Sequence, residues 1–151
     1  MKARIDYAKL QTMIGPTTAA LIQISNAVKQ SGLDPKLVEL VKIRASQING
    51  CAFCLNMHVA EARAGGESDA RMHVLAAWHE SPYFTPRERA ALAWTEALTL
   101  VAESHVPDEA FAQASAEFDE GELAQLTSAI VAINAWNRIA VAYRFLHPVK
   151  S

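Results

Sequence analysis

Residues 34–66 read DPKLVELVKIRASQINGCAFCLNMHVAEARAGG and predict two consecutive helices, the second of which carries both cysteines of the chain. Asp34-Pro35 opens the first helix, because aspartate is a favoured N-cap and proline is favoured at the first helical position. Asn49-Gly50 ends it, and the second helix begins at or next to Cys51 and ends at Gly65-Gly66. The break between the helices lets the first fold back beside the second.

Helix signals continue on both sides of this stretch. The other predicted helices run from Pro16 to Ser31, from Ser68 through His79, from Pro86 to about Glu103, from Pro107 or Asp108 to near Phe118, and from Asp119 to about Leu146 with Pro148 beyond it. No run of alternating apolar and polar β-branched residues predicts a strand. The expected fold class is therefore all-α, a compact helical domain of about six to seven helices that covers residues 1–151 as a single domain.

Composition and charge exclude several classes of function. The 151 residues are 51% apolar and 20% charged with a formal net charge of -2, and no run of Lys or Arg resembles the footprint of a nucleic-acid-binding protein. The N-terminus lacks the apolar core of a signal peptide, and polar residues interrupt the most apolar stretch, 123–146. We expect a cytoplasmic protein with no nucleic-acid or membrane partner. The slight apolar excess favours a homo-oligomer.

The two cysteines of the chain lie three positions apart. A structural disulfide framework uses more cysteines, spread along the chain. A bond between Cys51 and Cys54 would close too small a loop to remove much entropy from the unfolded state. We infer that the role of the pair is chemical rather than structural.

One stripe of the second helix carries the reactive side chains. At about 100° per residue, Cys51, Cys54 and His58 fall within an arc of about 60°. Cysteines at i and i+3 in the first helical turn can close a disulfide where the turn permits the required separation. Phe53 points nearly the opposite way and is predicted to be a core anchor.

Two local effects favour a thiolate in this stripe. The unpaired N–H groups and the macrodipole of a helix N-terminus favour negative charge at Cys51. His58 follows Cys54 by one turn and can accept its proton. Because a specific acceptor acts more directly than a diffuse field, we rank Cys54 first as the nucleophile, with Cys51 as its resolving partner. Glu39, on the preceding helix, would orient His58 if it reaches the site.

The spacing of these four residues resembles the motif of a known family. Glu39, eleven residues, Cys51, two residues, Cys54, three residues and His58 match the pattern of the alkylhydroperoxidase AhpD family, within the carboxymuconolactone decarboxylase-like superfamily. The similarity extends over most of residues 30–147. It implies an AhpD-like helical domain assembled into trimers or hexamers, and catalysis that needs no cofactor and no metal.

The resemblance also implies a role for each residue. In relatives the second cysteine attacks the peroxide and the first resolves the sulfenate as a disulfide, roles that fall here to Cys54 and Cys51. The relay of histidine and upstream glutamate falls to His58 and Glu39. The implied activity is a thiol-dependent peroxidase that reduces hydroperoxides and is regenerated by an external dithiol or protein reductant. Where some members carry a relay histidine before the second cysteine, this chain has Phe53.

Other interpretations of the same residues stay open. Cys51 and Cys54 could be two small core residues, or they could be zinc ligands. A zinc site needs about four ligands, and only the two thiols and His58 lie nearby, with Glu39 as a possible fourth. The dithiol could serve a redox-responsive disulfide-exchange protein without strong peroxidase activity. A carboxymuconolactone decarboxylase-like lyase typically lacks the cysteine pair, and a non-catalytic oligomeric binding protein is the residual class.

The last predicted helix contains polar residues that its apolar pattern does not explain. Asn134 and Asn137 lie in an otherwise apolar run and could line a cavity or a subunit seam. Trp136 is predicted to pack in the core or at a subunit interface.

Overall fold

The computed structural model describes residues 1–147, which form eight α-helices, one 3₁₀-helix and no β-strand. The elements are α1 (Tyr7–Gln30), α2 (Pro35–Ile48), α3 (Ala52–Ala64), α4 (Asp69–Val74), the 3₁₀-helix (Leu75–Glu80), α5 (Pro86–Thr99), α6 (Val101–Ser104), α7 (Asp108–Ser115) and α8 (Glu120–Tyr143). The predicted all-α class is confirmed. A single domain over residues 1–151 stays a prediction.

The central helix of the fold is α2, which contacts α3, α5 and α8. Its side chains are buried on several faces; the buried residues are Leu37, Val38, Leu40, Val41, Ile43, Ala45 and Ser46. Each fully buried leucine contributes about 1.5–3 kcal/mol to folding relative to exposure, so this helix is the main apolar platform. The cysteine-bearing helix α3 packs directly against it.

Several helix starts follow from local capping chemistry, as predicted. Asp34 caps α2 ahead of a proline, Thr85 caps α5 and Asp119 caps α8. The caps of α5 and α8 are capping boxes, in which the glutamate three residues on also accepts a hydrogen bond from the backbone N–H of the cap. These starts depend on residues within one turn and can therefore be read from the sequence.

The first helix is longer than predicted. It begins at Tyr7, capped by Asp6, so the predicted start at Pro16 is wrong. Pro16 lies inside α1 because the helix bends there instead of ending. The proline has no N–H to donate, and the backbone leaves helical geometry at Ile14 (φ -122°, ψ 27°).

The helix predicted from Pro86 to Glu103 is two helices, which raises the count above the expected six to seven. Leu100 (φ -97°, ψ 33°) separates α5 from α6. The Ser104 hydroxyl donates a hydrogen bond to the Ala97 carbonyl at 2.6 Å, in competition with the backbone ladder.

The segment predicted as one helix from Ser68 through His79 also divides. Its α-helical part, α4, ends at Val74, and the chain then tightens into the 3₁₀-helix, inside which Ala77 leaves helical geometry. His79 therefore lies in the 3₁₀-helix. The cap at Ser68 is as predicted.

The C-terminal end of α8 comes earlier than the predicted Leu146. Arg144 adopts the left-handed conformation (φ 53°), and the helix ends at Tyr143. The backbone N–H of Arg4 donates to the Tyr143 carbonyl at 2.9 Å, and its guanidinium donates to the Ala142 carbonyl at 2.9 Å. The N-terminal segment thus satisfies the terminal carbonyls. The predicted stop at Pro148 lies outside the described residues.

The helices of residues 1–147 differ from membrane-spanning helices. None combines the length and apolar character that a crossing requires.

Candidate active site

The two cysteines lie at the start of α3, where the chain turns back from α2. Gly50 (φ 64°) makes the turn in a left-handed conformation that glycine adopts without strain. Cys51 is the N-cap of α3, and its Sγ accepts a hydrogen bond from the backbone N–H of Cys54 at 3.3 Å. The two Sγ atoms are 2.7 Å apart, and both cysteines are free thiols. A disulfide bond of about 2.05 Å requires only a small shift of either sulfur.

The histidine of the predicted stripe is paired with the upstream glutamate. His58 Nδ1 lies 2.9 Å from Glu39 Oε2, because α3 packs antiparallel beside α2 after the turn. Lys42 Nζ donates to the other carboxylate oxygen of Glu39 at 2.8 Å. Burial acts to raise the pKa of Glu39, but the hydrogen bonds from His58 and Lys42 outweigh it and hold that pKa below its usual value. Glu39 is therefore a carboxylate that orients the imidazole.

A second carboxylate, which the sequence analysis missed, also contacts His58. Glu61 Oε2 lies 3.0 Å from His58 Nδ1. Its side chain is 54% exposed, against 15% for that of Glu39. The signal was present in the sequence, because residues at i and i+3 of a helix are neighbours on its surface.

The imidazole and the sulfurs are neighbours without being hydrogen-bonded to each other. Within residues 1–147, the His58 ring makes hydrogen bonds to Glu39 and Glu61 and none to Cys51 or Cys54. The direct hydrogen bond expected from the i,i+4 spacing is thus absent in this state. His58 and Cys54 instead line the same cavity.

This cavity has a volume of about 360 Å³ and is walled mainly by apolar side chains. Cys54 and His58 line it, but Cys51 does not. The larger apolar side chains of the wall are Tyr7, Ile22, Met57, Ile133, Trp136 and Phe145. The cavity is large enough to hold a small organic molecule, which would reach the sulfur of Cys54 but not that of Cys51.

Two aromatic residues also line this cavity, which the sequence did not predict. Phe53 is half-buried against the cluster of buried residues that contains Cys51 and Cys54, packs edge-to-face on Phe145 with ring centroids 5.5 Å apart, and also lines this cavity. Trp136 is half-buried and also lines the cavity, and its predicted position at a subunit interface stays a prediction. Helical periodicity put Phe53 nearly opposite to the stripe of Cys54 and His58, but in the folded chain all three line one cavity.

The thiols titrate as a pair because their sulfurs are in contact. The hydrogen bond from Cys54 lowers the pKa of Cys51 to about 7, against the opposing effect of burial. The same hydrogen bond, followed by burial and the charge on its partner, raises the pKa of Cys54. The pair therefore gives up one proton readily and the second with difficulty.

A network of buried amides supports the turn before Cys51. The Asn49 side-chain amide donates to the Oδ1 atoms of Asn134 (3.0 Å) and Asn137 (2.9 Å). Asn134 donates to Thr99, and Asn137 donates to Ser46, each at 3.0 Å. The two asparagines that the apolar pattern left unexplained thus tie α8 to the end of α2.

One group of side chains in the described part of the chain has the geometry to hold a metal ion. Glu39, His58 and Glu61 have ligand atoms that all lie within 4.8 Å of one another. This set differs from the zinc set of two thiols, His58 and Glu39. Lys42 already occupies one oxygen of Glu39 with a positive charge, which disfavours a cation there.

The fold and this arrangement define the class of protein. The chain belongs to the carboxymuconolactone decarboxylase family, whose model matches residues 16–97. The family predicted from the motif is confirmed.

The uncharacterized protein YdfG of Bacillus subtilis is 41% identical over 122 residues, which are 81% of this chain and 83% of that protein. A crystal structure from Agrobacterium tumefaciens, of a protein of unknown function provisionally assigned to antioxidant defence as AhpD, is 44% identical with a TM-score of 0.92 and covers 99% of this chain and 100% of its own.

A more distant structure shows the fold alone. An uncharacterized peroxidase-related protein from Silicibacter sp. TM1040 is 19% identical with a TM-score of 0.79, and the alignment covers 91% of this chain and 73% of that one.

Proposed function

We propose that this protein is a thiol-dependent peroxidase that reduces hydroperoxides through a Cys51/Cys54 dithiol–disulfide cycle. The observation that carries the proposal is the pair of contacting sulfurs at an apolar cavity, into which Cys54 opens beside His58. The Agrobacterium relative assigned provisionally to antioxidant defence supports the same class of activity.

The choice of attacking sulfur follows from access. After the first ionisation the two sulfurs share one proton across 2.7 Å, so the negative charge can lie on either of them. Only Cys54 lines the cavity, and a peroxide in the cavity therefore meets Cys54. We assign the resolving role to Cys51, which does not line the cavity: it attacks the sulfenic acid formed on Cys54.

The oxidative half of the cycle needs no reactant other than the hydroperoxide and the side chains of the site. His58, oriented by Glu39, takes the proton of Cys54, and the thiolate attacks the terminal oxygen of the hydroperoxide. The O–O bond breaks, Cys54 becomes a sulfenic acid, and the leaving alkoxide takes the proton back from His58 as an alcohol. The sulfur of Cys51 then displaces the hydroxyl group of the sulfenic acid, which forms the disulfide and releases water with the proton of Cys51.

The cycle closes through an external partner. A dithiol or protein reductant attacks the Cys51–Cys54 disulfide through a mixed disulfide and leaves oxidised, with both thiols restored. A reducing cytoplasm, the compartment we propose, supplies such donors and keeps the resting thiols free. In this scheme the chain's own side chains perform all of the acid–base chemistry.

The test is stoichiometric treatment with an organic hydroperoxide, followed by thiol counting and intact mass. Wild-type protein is expected to lose both thiols and the mass of two hydrogen atoms. Cys51→Ser is expected to accumulate a sulfenic acid on Cys54 that a sulfenate-specific reagent traps. Loss of turnover is expected in Cys51→Ser and Cys54→Ser, and full activity in either variant would exclude the scheme.

A second candidate is a disulfide-exchange protein without strong peroxidase activity. The burial of both sulfurs, 1% and 2% exposed, favours it because a bulky oxidant meets little of their surface. Negligible peroxide turnover with ready cycling by a dithiol reductant would support this candidate. A carboxymuconolactone decarboxylase-like lyase would instead keep its activity after both cysteines are changed to serine.

A further inference from the structure

Asn137 is a fully buried polar side chain on the face of α8 that covers the two cysteines. It is 0% exposed. Ile133 and Ala140, one turn before and one turn after it, belong to the same buried cluster as Cys51 and Cys54. Because residues at i, i+4 and i+7 share one face of a helix, the Asn137 side chain lies on the stripe that faces the sulfurs.

The hydrogen bonds of Asn137 fix the orientation of its amide. Its Oδ1 accepts from Asn49 at 2.9 Å, and its Nδ2 donates to the Ser46 hydroxyl at 3.0 Å. A side-chain amide carries two N–H donors, and Ser46 uses only one of them. Within residues 1–147, no other oxygen accepts a hydrogen bond from Nδ2, so the second N–H has no oxygen acceptor.

We propose that Asn137 is a further catalytic residue, whose second N–H donates a hydrogen bond to the anion formed by the Cys51–Cys54 pair. Its importance for turnover rests on the proposed peroxidase function, but the interaction itself does not. A hydrogen bond from a buried amide to an anion is of the strong, charge-assisted kind. In agreement, the Asn137 side chain acts to lower the pKa of both thiols.

The chain provides a matched control in Asn134, one turn earlier on the same helix. Asn134 also accepts from Asn49, but its own Nδ2 donates to Thr99 and to the Ile130 carbonyl. The two asparagines therefore share a network and differ in what their N–H groups face. Removing either amide disturbs the network, whereas only removal of Asn137 takes a donor from the sulfurs.

The experiment compares Asn137→Ala with Asn134→Ala in the full chain. The readouts are the pH profile of iodoacetamide alkylation, with the modified cysteine identified by mass, and the ultraviolet absorbance of the thiolate. The ionisable groups near the pair are His58 and, around it, Glu39, Lys42 and Glu61, and neither variant alters them. Asn137→Ala is expected to move the profile to higher pH and to slow alkylation at neutral pH by about tenfold. Asn134→Ala is expected to stay within about twofold of wild type.

A second variant covers the case in which Asn137→Ala does not fold. Asn137→Asp keeps the shape of the side chain and the acceptor for Asn49, but it replaces the donor by an acceptor. It is expected to suppress thiolate formation more than Asn134→Asp does. The proposal would be overturned if the variant at Asn137 and the matched variant at Asn134 gave the same pH profile of alkylation. Because alkylation needs no peroxide, the result stands apart from whether wild-type protein turns over a hydroperoxide.

Discussion

His58 presents one ring nitrogen to two carboxylates that differ mainly in their exposure to water. Glu39 is largely buried and also paired with Lys42, whereas Glu61 is more than half exposed. Exposed ion pairs contribute little because solvent screens them and both side chains lose freedom. We therefore expect the buried carboxylate of Glu39 to contribute most to fixing the orientation of the imidazole.

This difference predicts unequal effects of two matched substitutions. Glu39→Gln is expected to lower kcat/KM for an organic hydroperoxide by about tenfold or more, because it removes the buried charge opposite Nδ1. Glu61→Gln is expected to change it by less than about threefold at physiological salt. Steady-state kinetics of both variants at one ionic strength checks this. An equal loss in the two variants would contradict the ranking.

Thiol reactivity should follow the first ionisation of the sulfur pair. Below pH 7 both thiols are protonated and unreactive, and as pH rises through the pKa of about 7 at Cys51 the pair gains one negative charge. Alkylation is therefore expected to accelerate with an inflection near pH 7, well below the value of about 8.5 for a free cysteine. In Cys54→Ala the donor to Cys51 is removed, and the inflection is therefore expected to move upward. A wild-type inflection at the free-cysteine value would contradict this account.

At the scale of elements, the turn between α2 and α3 sets the site by bringing Glu39 beside His58. Two residues make the turn possible. Asn49 caps the end of α2 and donates to the amides of α8, and Gly50 takes the left-handed conformation that follows. A residue with a side chain pays a conformational penalty at this position.

Gly50→Ala should therefore destabilise the protein, with Gly15→Ala as its control. A Cβ atom at either glycine would meet nothing within 4 Å, so the two sites differ in backbone conformation and not in space. Gly50 has a positive φ and Gly15 does not. Gly50→Ala is expected to reduce the free energy of unfolding by about 1 kcal/mol, and Gly15→Ala to leave it unchanged or slightly increased. Denaturant unfolding of both variants measures the two changes in the free energy of unfolding. Equal changes would contradict the assignment of the destabilisation to the positive φ of Gly50.

At the scale of the whole molecule, apolar side chains remain on the outside of the described chain. Phe111 and Val131 are each 54% exposed and Val141 is 46% exposed. Where exposed apolar side chains form a contiguous patch, that patch commonly marks a surface that another subunit covers. This agrees with the apolar excess of the composition.

We therefore expect a homo-oligomer in solution, and the family resemblance implies a trimer or a hexamer. Light scattering coupled to size-exclusion chromatography should give a mass that is three or six times that of the chain. Val131→Glu should shift the species to lower mass if α8 contributes to the interface, because a carboxylate is costly to bury. A monomeric wild-type protein at micromolar concentration would contradict the prediction.

Local sequence was sufficient wherever one or two helical turns decide the structure. Asp34, Thr85 and Asp119 open helices by bonding to N–H groups within three residues, and the stripe of Cys51, Cys54 and His58 needs only helical periodicity. These predictions hold because each depends on atoms that the chain brings together over a few residues.

Only the tertiary structure decided features that join distant parts of the chain. The contact of Glu39 with His58, the amides of α8 behind the sulfurs, and the cavity at Cys54 each depend on how helices pack. The same holds for the end of α8, whose last carbonyls are met by Arg4, 139 residues before Tyr143. Helical periodicity gives the side of a helix on which a side chain lies. The packing of the whole core decides which residues of other helices that side chain contacts.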